Sequence, residues 1–535
     1  MKERHVRHLF NEPGDRTRVR VGLGRAVMGQ PRIALVMACY LVWTIACCMG
    51  PDVALGVEGA DGGAGMAPFM LAWMGPLVSM AVASVVIAVW FKKTRKVPST
   101  PSWMVALASL MTLAAALHLV WVLNTSLPAA ARWALYALAS VVTGAGYALF
   151  RVEIDRVFGW IGTQQTLAQC MAGTVMAAAV LVVLTLVGNA LGASETPLLV
   201  VALVLPFVSV ALLRVVISEF PRVRYFGHGL DVPLPFPAKF VVTSFVQGAT
   251  GVLFAGAFVL GVVRSVAGIE DATGVVGVVG VGVPASAALL LLAVGQVVAV
   301  ALLFATLVFL RLDFNRLVYK VAFPFVAAGF VLLALVPDAT VAGCTVLAAA
   351  FCFLDLVLWS LGACLMKNMG LPATWIASCP GAALFCGMVA GGCVILAFLN
   401  GVTGRDATLL ASLIACLVLA AALLLSSGSN LKYGWGTVRP GESGLAAGDL
   451  AGVVKFVATE RGITQRESEV MLLLAQGKSR RDVCEELSVS PDTVKTHARS
   501  IYRKLAVHSQ QELIDLLTRE CEDLAADDAK RLLEE

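Results

Sequence analysis

Between residues 31 and 426 the sequence offers twelve apolar stretches, each near the roughly 20 residues a helix needs to cross a bilayer. They fall near 31–50, 67–91, 102–123, 130–150, 166–192, 197–218, 239–263, 284–310, 317–336, 341–366, 374–399 and 407–426. The eighth is the least regular. Apolar residues run from Val275 to Leu310, too long for one span, and Pro284 with glycines at 274, 277, 280 and 282 reads as an extracellular lead-in. Only 14% of the 535 residues are charged, against about 25% in a soluble domain, and mean hydropathy is +0.85. The chain reads as an all-α, polytopic membrane protein.

The longest polar break, 219–238, holds Arg222, Arg224, His228 and four prolines, and divides the spans six and six into halves of about 31–218 and 239–426. Ahead of them lies a basic arm, residues 1–30, with Lys2, Arg4, Arg7, Arg16, Arg18, Arg20 and Arg25. The first span lacks a small-residue cleavage pattern, so this is not read as a cleaved signal peptide. With that arm in the cytoplasm, inside loops collect Lys92, Lys93, Arg95, Lys96, Arg151, Arg156, Arg222, Arg224, Lys239, Arg311, Arg316, Lys320 and Lys367. The outside loops hold only Arg132, Arg264 and Arg405. This asymmetry predicts cytoplasmic termini in the inner membrane. The even span count agrees independently, because it returns the C-terminus to the side of the N-terminus.

Six plus six spans around a long middle loop resembles the major facilitator fold, in which two six-helix halves are related by an axis along the membrane normal. That resemblance admits an alternative function, a secondary transporter with a regulatory tail. The usual loop signature, a glycine and aspartate pair before an Arg-rich turn, is not matched after the second or eighth span, which argues against transport.

Polar groups at bilayer depth point to function. The candidates for a ligand or signal site are Asp355 with Trp359 one turn on, His118, Gln247 and Gln296. Glu153 and Asp155, beside Arg151 and Arg156, read as an ion-pair cluster on the cytoplasmic rim. The thirteen cysteines sit mostly inside apolar runs without zinc-like spacing, as small packing residues. No metal or cofactor is expected. Walker, nucleophile-elbow, HExxH, kinase and receiver patterns are absent, so neither an enzyme nor a phosphorylation input is expected.

After residue 426 the character changes. Residues 427–459 are rich in Gly, Ser and Ala and read as a flexible linker, with a short helix possible near 450–459. Residues 460–520 form a compact polar module, followed by a charged tail, 521–535. Thr464 with Glu467 is a capping box. Val470, Leu473 and Leu474 then carry one buried helical face, and Gly477 can end that helix. Ser479 caps a second helix facing inward through Val483 and Leu487. Ser488-Val489-Ser490 is a tight turn, and Ser490 caps a third helix with Pro491 at its first position. This is helix-turn-helix spacing.

The module resembles the DNA-binding domain of LuxR-family regulators. Ile463-Thr464-Gln465-Arg466-Glu467 matches the family's opening, and Ser490, Thr493, Val494, Lys495 and His497 match its recognition helix. Ile501, Lys504, Leu505 and Val507 match the segment that trails that helix in the family. The resemblance implies base contacts from Lys495, Thr496 and Arg499, and a dimer surface on the last helix, 510–517. Thr493, Arg503 and Lys504 are the candidates for phosphate contacts. From Glu460 to Glu520 ten basic residues meet ten acidic ones, so only the recognition helix is basic, and a monomer should bind DNA weakly. The expected fold is a twelve-helix, major-facilitator-like bundle plus a small four-helix domain. The expected protein is a membrane-embedded transcription regulator whose partners are double-stranded DNA, the bilayer, a small ligand and a second copy of itself.

Overall fold

The computed structural model describes residues 13–58, 67–97, 101–124, 126–191, 196–219, 234, 238–266, 285–310, 312–335, 340–369, 371–399, 404–426, 453–454, 457–478, 480–517 and 520. Every regular element among them is helical. The first half contains α2 (Pro31–Glu58), α3 (Ala67–Thr94), α4 (Pro101–Leu123), α5 (Ala129–Ile161), α6 (Thr163–Leu191) and α7 (Thr196–Ser218). The second contains α8 (Ala238–Val266), α9 (Ala285–Phe309), α10, α11 (Thr340–Met369), α12 (Ala373–Leu399) and α13 (Gly404–Leu425). Helix α10 runs from Phe314–Arg316 through a π-helical stretch, Leu317–Ala322, into Phe323–Leu335. All twelve expected stretches are thus helical, and ten are long and apolar enough to span among the described residues. The glycine-rich lead-in at 274–284 lies outside them.

Two segments are more extensively helical than their sequence suggests. Within the basic arm, Pro13–Gly29 forms a helix, α1, that packs on the bundle with Val19 and Leu23 buried in its core. The fourth span does not end at 150. Helix α5 continues to Ile161, carrying Arg151, Glu153, Asp155 and Arg156 into the bundle interior. Charges at i,i+3 and i,i+4 neutralise one another in pairs, so the helix can stay buried past the point where hydropathy falls.

Small residues let backbones meet where apolar side chains alone cannot hold helices together in lipid. Helix α8 packs along α12, where a Cβ on Gly248 would fall 1.9 Å from the Leu384 carbonyl oxygen and one on Gly387 2.1 Å from that of Phe245. The halves meet through α3 with α12, α6 with α9, and α5 and α6 with α11. At the α1 end of the bundle this seam is closed. Ser360 Oγ donates to the Thr163 carbonyl at 3.1 Å, and Lys367 Nζ to that of Ile161 at 3.3 Å.

The polar module has its own core, built from α14 (Gln465–Ala475), α15 (Arg480–Leu487), α16 (Pro491–Lys504) and a last helix, α17, at residues 510–517. Val453, Val454, Val457 and Ala458 are buried in that same core. These four residues, from the stretch read as linker, thus pack with the module.

Candidate nucleic-acid interface and buried polar cluster

Helix α14 starts with the expected capping box. Thr464 Oγ1 accepts from the Glu467 amide, and Glu467 Oε2 accepts from the Thr464 amide at 2.8 Å. The helix ends at Gly477 in the left-handed region, φ 85°, with the Lys478 amide donating to Leu473 and the Gly477 amide to Leu474. Ser479 lies outside the described residues. Helix α15 buries Val483 completely and half-buries Leu487, then turns at Ser488, φ 51°, with the Val489 amide donating back to Cys484. Ser490 Oγ accepts from the Thr493 amide at 3.2 Å and Pro491 occupies the first turn, so α16 begins as its sequence requires.

Val494, Ala498, Ile501 and Leu505 fix α16 in the core and set its outward face. Lys495, Thr496, Arg499 and Arg503 are exposed on it, as is Thr493. The Thr493 hydroxyl lies 2.8 Å from that of Ser490, and Thr496 Oγ1 donates to the Asp492 carbonyl at 2.8 Å. The face thus presents three cations and a threonine whose hydroxyl proton is spent on its own helix. A helix with this face fits the major groove, where Lys and Arg meet guanine edges and apolar groups meet the thymine methyl.

Lys504, the remaining phosphate candidate, is engaged within the domain. Its ammonium donates to Glu467 at 2.7 Å and to the Gly462 carbonyl at 2.9 Å, pinning the end of α16 to the start of α14. Burial alone would raise the Glu467 carboxyl. The Lys504 ammonium, Ser500 and the Thr464 amide and hydroxyl outweigh it and hold the group at about 2.

In the membrane domain the polar candidates separate. Asp355, Trp359 and Gln247 come together: Trp359 Nε1 donates to Asp355 Oδ2 at 3.0 Å and Gln247 Nε2 to Oδ1 at 3.4 Å. Residues read as a rim join them across the seam. Arg151 Nε donates to Asp155 at 3.0 Å, and its guanidinium carbon sits 3.2 Å from the centroid of the Trp359 ring. Tyr40 packs on Tyr147 and edge-on to Trp359, so five helices, α2, α5, α8, α11 and α12 through Phe385, contribute to one cluster. Glu153 and Arg156 form a different pair, 2.8 Å apart, with Trp103 of α4 donating to Glu153.

His118 and Gln296 do not join this cluster. His118 is buried against Tyr136, with Nδ1 2.9 Å from the Ala114 carbonyl of its own helix. Gln296 is buried on α9, its Oε1 without a hydrogen bond. Among the described residues no group of His, Cys, Asp and Glu could hold a metal ion.

Residues 461–517 match the family described as bacterial regulatory proteins, luxR family. Over 62 residues the chain is 40% identical to the uncharacterized response regulatory protein YgeK of Escherichia coli (strain K12), covering 12% of this chain and 42% of that one. Over 57 residues it is 40% identical to the HTH-type transcriptional regulator MalT of Yersinia pestis (strain Pestoides F), covering 11% of this chain and 6% of MalT. The chain thus spans less than half the length of these relatives, and the likeness is confined to the module. The membrane domain is similar to a bacterial homologue of the iron transporter ferroportin in its outward-facing state. That match has a TM-score of 0.52 at 11% identity and covers 74% of this chain and 99% of the other. The form soaked with iron gives 0.51 at 13% identity over the same shares. Identities this low speak for the fold alone. The chain therefore carries a LuxR-family helix-turn-helix DNA-binding domain at 461–517, joined to a multi-pass membrane domain whose fold is similar to that of the ferroportin homologue.

Proposed function

We propose that this protein is a membrane-embedded, one-component bacterial transcription regulator of the inner membrane, with both termini in the cytoplasm. A small ligand or membrane signal acts on the twelve-helix domain, and the helix-turn-helix domain binds double-stranded DNA as a dimer paired through α17. The observation that carries this reading is the face of α16, where Lys495, Thr496, Arg499 and Arg503 are exposed while Val494, Ala498 and Ile501 hold the opposite side rigidly in the core. Dimerisation supplies the electrostatic attraction that one copy, with its even charge balance, lacks.

The signal site is the cluster of Asp355, Trp359, Gln247, Arg151, Asp155 and Tyr40. It joins helices from both halves, so an occupant that fits one arrangement of the halves better shifts their equilibrium. Promoter DNA binding by the full-length protein tests the reading. Lys495→Ala with Arg499→Ala should abolish specific binding, and unchanged binding would overturn the assignment.

A further inference from the structure

Helix α1 is joined to α2 through Gln30 alone, so it is an extension of the first half. It lies on α6 of that half. Val19 and Leu23 are buried, Gln169 Nε2 donates to the Ala26 carbonyl at 2.7 Å, and Gly22 lies close against the Gln164 side chain. It also packs against α9, which belongs to the second half and itself contacts α6. The helix therefore crosses the seam between the halves. It does so at the closed end, since Thr163, which accepts from Ser360 across that seam, precedes Gln164 directly in the chain.

Two halves that rock as bodies must change their separation at one end of the bundle. Parting α6 from α9 at this end would strip α1 from one of them and expose its apolar anchors. We propose that α1 is a strap that holds the two halves together at this end and must release α9 before the end can open. The outward side of α1, with Arg20, Arg25 and Met28 exposed, takes no part in the clasp.

Native cysteines report on the opening without added probes. Cys170 on α6 and Cys364 on α11 are completely or almost completely buried, on helices that face each other across the seam, whereas Cys47 is buried on α2 within the first half. The full-length protein in lipid nanodiscs is treated with N-ethylmaleimide, and modification at each cysteine is followed by peptide mass spectrometry. Val19→Asp with Leu23→Asp should accelerate modification of Cys170 and Cys364 at least tenfold, with Cys47 still protected. Met28→Asp should change none of them. Unchanged rates at Cys170 and Cys364 in the double variant overturn the proposal. Should Cys47 also become reactive, the fold of the half is lost, and Gln169→Leu decides. That variant removes only the hydrogen bond to Ala26, and an increase of about threefold at Cys364 supports the strap while an unchanged rate overturns it.

Discussion

The ammonium of Lys504 lies 2.7 Å from the Glu467 carboxylate, joining the end of the recognition helix to the start of α14. Glu467 is almost fully buried, and its carboxyl is held at about 2 against an ordinary 4.5. A group depressed in the folded state adds stability above its unfolded value and loses it as the pH falls. The module should therefore weaken as pH drops from about 4.5 towards 2. Glu467→Gln should flatten that loss and lower stability at neutral pH by about 1–3 kcal/mol. Hydrogen exchange of the α14 and α16 amides in the full-length protein measures both effects.

The same pair separates two cations that look alike in sequence. Arg503 is exposed, whereas the Lys504 ammonium is committed inside the domain. Arg503→Ala should reduce the slope of log affinity for DNA against log salt by about 1. Lys504→Met should leave that slope unchanged while accelerating exchange in α14. Equal slopes for the two variants would show that Lys504 reaches phosphate after all.

Helix α16 ends on a residue that tolerates its conformation poorly. Ala506 has φ 53°, with the Val507 amide donating back to Tyr502, the geometry in which α14 uses Gly477. A left-handed alanine costs about 1–2 kcal/mol, partly offset by the extra entropy glycine loses on folding. Ala506→Gly should stabilise the module by roughly 0.5–1 kcal/mol, and Gly477→Ala should destabilise it by about 1 kcal/mol. Denaturant-dependent hydrogen exchange of the core amides compares the two.

Much of this architecture is legible in the chain. Twelve apolar stretches foretell twelve helices because bilayer thickness fixes their length, and Thr464, Ser490 and Pro491 announce helix starts by local chemistry. What stays hidden is long-range. Arg151 and Asp155 look like a rim because hydropathy drops there, yet the four-residue spacing that pairs them is itself a signal of a helix running on. Asp355, Trp359 and Gln247 each stand out singly at bilayer depth, but nothing in their positions shows that Arg151 and Tyr40 would meet them. Val453, Val454 and Val457 are an apolar patch in a Gly- and Ser-rich stretch, and that contrast signals that they pack with the module. Lys504 matches the family pattern and Arg503 does not, yet only the fold shows that the Lys504 ammonium turns into the domain.

Thr496 presents its methyl because its hydroxyl donates to Asp492. If α16 enters the major groove, that methyl suits the 5-methyl of thymine and the hydroxyl proton is unavailable to a base. Thr496→Val should keep specific affinity within about twofold, and Thr496→Ser should lower it by about 1 kcal/mol. Replacing the facing thymine with uracil should reproduce the loss in the wild type and add nothing to the serine variant. Full affinity in Thr496→Ser with loss in Thr496→Val would show that the hydroxyl does the reading.

Arg151 and Asp155 supply the last test, because each is the other's compensation inside the bundle. Asp155 is 2% exposed and its partner reaches across the seam to stack on Trp359. Removing one charge strands the other, which costs about 3–5 kcal/mol, whereas removing both restores part of that loss, because Arg151 also faces Asp355. Arg151→Leu and Asp155→Leu should each lower the thermal stability of the full-length protein in detergent by several degrees, and the double variant should recover in part. The two losses are not equivalent, however. Arg151→Leu also takes away the cation over Trp359 and so loosens α11, whereas Asp155→Leu leaves the guanidinium over that ring. If the cluster transmits the signal between the halves, the double variant should still fail to alter DNA binding when the inducing signal is supplied. A double variant that responds normally would assign Arg151 and Asp155 to structure alone.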